Sequence, residues 1–434
     1  MKKRVFIKNL FYGILALLMS LVALGCSLAA QSQSAEAAAP ATPEIVATPT
    51  ATPTPEPTPT PEPTPTVITL GAIGDIMMMA PQVVGAYNAE TDTYDFSRSF
   101  QGVANQFRSV DLMCGNFEST LAGEDAGYSV KKRSDEPADT FNAPDAVIDN
   151  LKDIGFDFLS TGNNHCLDRQ MEGLIRTLDI LDEKGIYHTG TARSNEERDT
   201  PLIIDVNGIK IGFIAATEII NKHDRYMNDE ETEYAVTRLY SQQDRLVAEI
   251  KALRTAGADF IVAYPHWDKE HKKSANSRTR ETAKLLLESG VDVILGSHPH
   301  VVQSIEYVTV ERESGPYTGL VVYSMGNFIS NMSNKKDVDP LKYGLYVQLT
   351  IEKALDGTTS LKSACYMPLL CFYRTIGDTY LHQVVPALQD TTKIHSFSEL
   401  TESELARAQT AREYVIDICT TDAIPVMDDA DWVN

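Results

Sequence analysis

The sequence predicts an α/β fold on two observations. Short apolar runs typical of β-strands end in polar residues at VITLGAIGD (67–75), VDLMCGN (110–116), FDFLSTGNN (156–164), KIGFIAATE (210–218), DFIVAYPHW (259–267), VDVILGSHPH (291–300) and GLVVYSMGN (319–327). Segments with helical periodicity lie between several of these runs, at 143–152, 169–184, 236–256 and 278–289. Alternating strands and helices place a functional site at the strand ends.

The C-terminal part has a different pattern. Two β-rich segments, YGLYVQLTIEK and SLKSACYMPLLCFYR, flank a DGTT turn and predict antiparallel strands. Thr401 and Glu404 form a capping-box pattern at the start of a predicted helix over 401–419. We therefore expect a main domain over 67–334, with strands, a helix and an acidic tail in 335–434 packing on it or extending it.

The N-terminal part predicts an exported protein. Residues 1–25 have a basic start and an apolar run typical of a secretory signal. The segment ends in Ala-Leu-Gly before Cys26, which resembles a lipobox and predicts lipidation of Cys26; later cleavage in SLAAQ or AEAAAP, or an uncleaved anchor, is the alternative. Each of these places the domain outside the cytoplasm. Residues 26–66 are rich in Thr-Pro repeats and predict an extended, disordered linker.

The charge of the chain disfavours a nucleic-acid partner. Asp and Glu outnumber Lys and Arg by 60 to 38, giving a formal net charge of −22. Two basic clusters, Lys131-Lys132-Arg133 and Lys272-Lys273, interrupt this acidic background. Such runs are commonly solvated surface, but Lys132 and Arg133, together with Asn116, are our candidates for binding an anionic substrate.

Several histidines and oxygen donors recur where predicted strands end. A single histidine is more often a hydrogen-bonded structural residue, and it is their recurrence at strand ends that favours a metal site. The set suits a divalent ion such as Mn, Zn or Fe, and the candidate ligands are Asp75, Glu118, Asn164, His165, His266, His298 and His300. Pro299 predicts an extended conformation for His298.

Six motifs carry a resemblance to a known family. GDIMM, GNFEST, TGNNHCLD, PHW, GSHPHVVQSIE and YSMGNF resemble the successive motifs of the CapA/PgsA (poly-γ-glutamate capsule) family over about residues 67–334. That family is similar to the calcineurin-like metallophosphatases, so the resemblance implies a layered β-sandwich flanked by helices.

The resemblance also implies roles for the candidate residues. His165 would face the scissile group, with Asp168 orienting it, and Glu118 would bridge two metal ions. The remaining implied metal ligands are Asp75, Asn164, His266, His298 and His300.

Two departures from the metallophosphatase pattern leave the number of ions, one or two, open. Met77 stands where a histidine ligand is expected, and its thioether suits Mn or Zn poorly. Glu118 replaces the usual aspartate, which lengthens the bridging arm.

The implied function is capsule biosynthesis outside the membrane, with a metal-dependent hydrolase or transferase acting on a phosphoester or an amide. The expected partners are an anionic surface polymer or its membrane synthase, and the membrane itself through the lipid anchor. Two alternatives stay open: a non-catalytic accessory subunit with a structural metal, and an exported phosphoesterase.

Overall fold

The computed structural model describes residues 64–129, 140–377, 379–396, 398–419 and 423–433. These residues belong to the compact unit Glu62–Asn434. Their strands are β1 Thr66–Ile76, β2 Tyr87–Asn88, β3 Thr93–Tyr94, β4 Leu112–Phe117, β5 Phe156–Ser160, β6 Tyr187–Thr189, β7 Leu202–Val206, β8 Ile209–Thr217, β9 Phe260–His266, β10 Val293–Leu295, β11 Ile305–Arg312, β12 Gly315–Val322, β13 Asn327–Ile329, β14 Tyr343–Lys353, β15 Thr359–Ile376 and β16 Thr379–Pro386.

The α-helices of the described residues lie mostly between these strands. They are α1 Ala80–Ala86, α2 Ser97–Phe100, α3 Ala104–Arg108, α4 Ala146–Asp153, α5 Gln170–Lys184, α6 Asn195–Asp199, α7 Asp229–Tyr234, α8 Gln243–Thr255, α9 Ser277–Ser289 and α10 Glu402–Ile418. Short 3-10 helices lie at His223–Tyr226, Pro340–Lys342 and Thr391–Lys393.

The strands form two large sheets. The first has the order β16-β15-β14-β1-β4-β5-β6, and β13 pairs with the end of β1. Strands β1, β4, β5 and β6 are parallel, whereas β14, β15 and β16 join β1 as an antiparallel extension. The second has the order β11-β12-β10-β9-β8-β7, in which the four inner strands are parallel and both edge strands antiparallel.

Three apolar clusters show how the layers stack. One cluster lies between the sheets, where the rings of Phe158 on β5 and Phe213 on β8 stack with centroids 4.2 Å apart. A second joins the outer face of the first sheet to helices, through residues such as Phe107 and Leu178. A third joins the outer face of the second sheet to α8 and α9, through residues such as Ile250. The predicted α/β layered sandwich flanked by helices is therefore confirmed.

Most predicted elements match the structure. The C-terminal segments form antiparallel β14 and β15, and the Thr401/Glu404 capping box starts α10. The prediction of one helix over 236–256 is wrong at its start, because α8 begins at Gln243. Val236 and Arg238 instead make β-bridges to Thr191 and Thr217, which hold this segment extended.

Other sequence predictions meet the structure only in part. The signal segment, Cys26 and most of the linker lie outside the described residues, although Thr66, assigned to the linker, opens β1. No helix within the described ranges is long and apolar enough to cross a membrane. Cys365 and Cys371 are free thiols on β15, since six residues of strand separate them by about 20 Å, far beyond disulfide reach.

Candidate metal centre

The candidate ligands meet at the carboxyl ends of the parallel strands of both sheets. In the first sheet, Asp75 lies near the end of β1, Glu118 follows β4, and Asn164 follows β5. In the second sheet, His266 ends β9, while His298 and His300 follow β10. All six side chains are buried. Because parallel strands in a sheet end at the same edge, residues far apart in sequence converge on one site.

Glu118 lies at the middle of this cluster. Its Oε1 is 3.6 Å from Nε2 of His266, 3.7 Å from Nε2 of His300 and 3.9 Å from Nε2 of His165. Both of its carboxylate oxygens are buried and have no hydrogen-bond partner among the described residues. Burial, and then the charge of Asp75, raise the pKa of Glu118 well above its usual value. A buried carboxylate in this state is suited to receiving a cation.

Two groups of side chains share Glu118 and suit a divalent metal ion. Asp75, Glu118 and His300 form one group, and Glu118, His266 and His298 form the other. Within each group one ligand atom per residue lies within 4.8 Å of the others. Carboxylate oxygens and imidazole nitrogens are ligands for Mn, Zn and Fe. Nδ1 of His298 is also buried and has no hydrogen-bond partner among the described residues. The residues of both groups therefore fit the predicted metal ion.

Asn164 and Met77 occupy different positions relative to these groups. Oδ1 of Asn164 lies 2.8 Å from Nε2 of His266, so its amide oxygen is beside the second group, where the sequence places a ligand. Met77 is buried, and its backbone N–H donates to the carbonyl of Ile329. Among the His, Cys, Asp and Glu side chains of the described residues, the first group has three candidate ligands.

Two asparagines of the first sheet position the acidic ligand of β1. Asn116 is fully buried, donates from Nδ2 to Oδ1 of Asp75 at 2.8 Å and accepts from Nδ2 of Asn163 at 3.2 Å. Asn163 also donates to the carbonyl of Phe117 and accepts from the N–H of His165. These contacts show that Asn116 holds Asp75, and substrate binding by Asn116 stays a prediction.

The second sheet supplies equivalent supports for the histidines. Oγ of Ser297 lies 2.9 Å from Nδ1 of His266, and Oδ1 of Asn327 lies 3.0 Å from Nδ1 of His300. A hydrogen bond at one ring nitrogen fixes which nitrogen remains available to a metal. Asn327 therefore supports His300.

The backbone of the histidine turn differs from the prediction. His298 has φ +93° and His300 has φ +56°, so the extended conformation predicted for His298 is wrong. The N–H of His298 donates to Oδ2 of Asp75 at 3.3 Å, which ties this turn to β1. Positive φ is costly for residues other than glycine and persists where surrounding contacts enforce it.

The histidines of the cluster differ in the direction in which their surroundings shift the pKa. Burial, and then the neighbouring histidines, lower the pKa of His266 and of His298 well below the usual value. Burial also lowers the pKa of His300, but the hydrogen bond and charge of Asp75, 3.2 Å away, outweigh it and raise the pKa overall. Neutral imidazoles, as at His266 and His298, are the form that binds a metal.

His165 and Asp168 form a pair at the edge of the cluster. Nδ1 of His165 lies 2.6 Å from Oδ2 of Asp168, and the N–H of Phe141 donates to the same oxygen. The ring of Phe141 packs on the ring of His165, with centroids 4.2 Å apart. This arrangement leaves Nε2 of His165 directed toward Glu118, at 3.9 Å from its Oε1. The geometry is that of a histidine oriented by a carboxylate.

The remaining site residues are two that the sequence predicted and one that it did not. Lys132 and Arg133 lie outside the described residues. The structure adds one carboxylate that the sequence did not single out: Glu270, whose oxygen lies within 4.8 Å of ring nitrogens of His298 and His300.

Fold and site together define a two-sheet α/β protein with a candidate metal centre at the meeting strand ends. The family model described as "Bacterial capsule synthesis protein PGA_cap" matches residues 69–332. The match covers more than half of the chain, and the chain belongs to this family. The resemblance inferred from the six motifs is confirmed at this level.

Curated relatives and a solved structure add detail. The chain is 25% identical to "Capsule biosynthesis protein CapA" of Bacillus anthracis over 64% of each chain. It is 27% identical to "PGA biosynthesis protein CapA" of Bacillus subtilis, over 61% of this chain and 63% of that protein. The alignments thus span less than two thirds of these relatives.

The similarity to a solved structure is much weaker than the similarity to these relatives. A purple acid phosphatase from yellow lupin seeds superposes on 74% of this chain and 54% of its own, with a TM-score of 0.32 and 9% identity. Values this low carry no inference about the fold or function of the chain.

Proposed function

We propose that this protein acts in capsule biosynthesis outside the cytoplasm, as a metal-dependent hydrolase or transferase on an anionic polymer of the poly-γ-glutamate type. The observation that carries the proposal is the fully buried Glu118 carboxylate, which lies among three histidines and has no hydrogen-bond partner among the described residues, with Asp168 bonded to one of these histidines, His165. A purely structural cluster would pair that carboxylate.

In this proposal the cluster contains metal ligands and one histidine that transfers a proton. Two sets of residues would hold one or two divalent ions. The first set is Asp75, Glu118 and His300, and the second is Glu118, Asn164, His266 and His298. A bound ion would polarise a phosphoryl or carbonyl oxygen and activate water. Asp168 orients His165 through Nδ1, so that Nε2 is free to hold or deliver a proton at the scissile group.

The substrate class is argued from the relatives and from charge. Both named relatives are described as capsule or PGA biosynthesis proteins. We propose the same polymer class here, bound with the help of Lys132 and Arg133, with the polymer or its membrane synthase as partner. A lipid on Cys26 and the Thr-Pro linker would hold the domain near the membrane surface.

The test is turnover by the full chain, purified in detergent, with a His165→Ala variant. Poly-γ-glutamate chain length, measured by gel filtration, and hydrolysis of bis(p-nitrophenyl) phosphate report the amide and phosphoester reactions. We expect turnover to fall by about 100-fold or more, because a general acid or base contributes at least that much, with metal content unchanged.

Two outcomes separate this proposal from its alternative. His395→Ala changes an exposed histidine elsewhere and should leave turnover unchanged. Wild-type turnover in His165→Ala would contradict the catalytic assignment. It would favour a non-catalytic accessory subunit with a structural metal, which the buried Met77 at a ligand position supports.

A further inference from the structure

The turn that joins β9 to α9 is fixed against the histidine turn that follows β10. The N–H of His271 donates to the carbonyl of Pro299 at 2.8 Å, and Nε2 of Gln303 donates to the carbonyl of Lys272 at 2.8 Å. Asp268 and His271 both have positive φ, 72° and 62°. These constraints hold Glu270, which lies with Lys269 between Asp268 and His271, beside the metal centre.

Glu270 reaches the metal centre from its exposed side. A carboxylate oxygen of Glu270 and one ring nitrogen each of His298 and His300 lie within 4.8 Å of one another. The side chain of Glu270 is half exposed, at 49%, whereas both histidines are buried. Nδ1 of His298 is buried with no described partner, which is an independent sign of a missing ligand at this point.

A simple ion pair does not account for the placement of Glu270. Its carboxylate lies 4.0 Å from Nε2 of His271, and both side chains are about half exposed. Exposed pairs of this kind stabilise a fold little. The ion pair with His271 therefore does not explain why the Glu270 carboxylate lies beside His298 and His300.

We propose that Glu270 is a metal ligand that binds a divalent ion together with His298 and His300. This inference rests on the proposed metal-dependent function. This set has one carboxylate and two imidazoles, which are ligand types that suit Mn²⁺, Zn²⁺ and Fe²⁺. It shares His298 with the group of Glu118, His266 and His298, and it shares His300 with the group of Asp75, Glu118 and His300.

The charges agree with this assignment. Two divalent cations held by Asp75 and Glu118 alone would leave two positive charges among buried groups. The carboxylate of Glu270 halves that excess, which lowers the electrostatic cost of holding the second ion. Binding at the group of Glu270, His298 and His300 would then depend on Glu270, whereas binding at the group of Glu118, His266 and His298 would depend on His266.

The experiment is Mn²⁺ titration of the full chain by isothermal titration calorimetry, with Glu270→Gln as the variant. Glutamine keeps the shape and removes the anionic oxygen. We expect wild type to bind two ions and Glu270→Gln to bind one of them at least about tenfold more weakly. In electron paramagnetic resonance, the signal of a coupled Mn²⁺ pair should give way to that of a single ion.

The matched control is Glu288→Gln, which removes the same charge from an exposed residue at the far end of α9 and should behave as wild type. Equal Mn²⁺ affinities at every site in wild type and Glu270→Gln would overturn the assignment, as would a wild type that binds no metal. Circular dichroism of each variant excludes unfolding. The readout does not involve turnover, so intact metal binding with an inactive site would count against the proposed function alone.

Discussion

The buried carboxylates near the two ends of β10 differ in their hydrogen-bond partners. At its amino end, Asp292 accepts from Arg254, from the N–H of Ile261 at 2.8 Å and from Arg312 at 3.2 Å. At its carboxyl end, His298 and His300 face Glu118, whose carboxylate has no hydrogen-bond partner among the described residues. Both carboxylates are buried, but only one is neutralised within the protein.

This difference separates structural charge from functional charge. A buried carboxylate with three donors contributes to a stable fold, whereas one without donors costs stability until a cation arrives. The amino ends of the strands therefore stabilise the sandwich, and the carboxyl ends are kept ready for a ligand. Breaking each end in turn tests this distinction.

The largest effect should come from exchanging each carboxylate for its amide in the absence of metal. Asp292→Asn should lower the free energy of unfolding by about 3 kcal/mol, because two guanidinium groups lose their counter-charge. Glu118→Gln should lower it by less than about 1 kcal/mol, or raise it, because no partner is lost. Urea unfolding in chelator, followed by circular dichroism, measures both.

Adding metal should narrow the difference in stability between the two variants. At a Mn²⁺ concentration about 100 times the dissociation constant, wild type and Asp292→Asn should each gain about 2.7 kcal/mol, whereas Glu118→Gln should gain far less. If Glu118→Gln destabilised the chelated protein as strongly as Asp292→Asn does, the contrast between the two ends of β10 would be wrong.

A smaller effect is expected from the support of His266. Ser297→Ala removes the hydroxyl 2.9 Å from Nδ1 of His266 and should weaken metal binding about tenfold, because the ring is no longer held in one orientation. Calorimetric metal titration measures the change. Ser304→Ala, which removes a hydroxyl bonded to Glu306, is the control; equal losses in both variants would show that the effect is not specific to His266.

Much of the fold could be predicted because its inner strands are continuous apolar runs. β1, β8 and β9 match the predicted runs closely, and the capping box of Thr401 and Glu404 marks α10. The short β6 was missed because its sequence carries too little apolar periodicity. The edge strand β7 was missed although Leu202–Val206 is an apolar run followed by an Asn-Gly turn, which is typical of a β-hairpin. The start of α8 was misplaced because tertiary β-bridges override local helical pattern.

Candidate site residues that lie at strand ends, such as Asp75, Glu118 and His298, could be identified from the sequence. Residues such as Ser297, Asn327 and Glu270 were not identified, because their role depends on which loops meet in space. The positive φ of His298 also escaped prediction, since the proline rule restricts the backbone without reporting the hydrogen bond to Asp75 that selects this turn.

The most direct test of the central claim is the metal content of the purified full chain, measured by elemental mass spectrometry. Wild type should carry about one or two divalent ions per chain, and His298→Ala should lose at least one, while the exposed-histidine control His395→Ala keeps them all. A folded wild type that carries no metal after reconstitution with Mn²⁺, Zn²⁺ or Fe²⁺ would contradict the account.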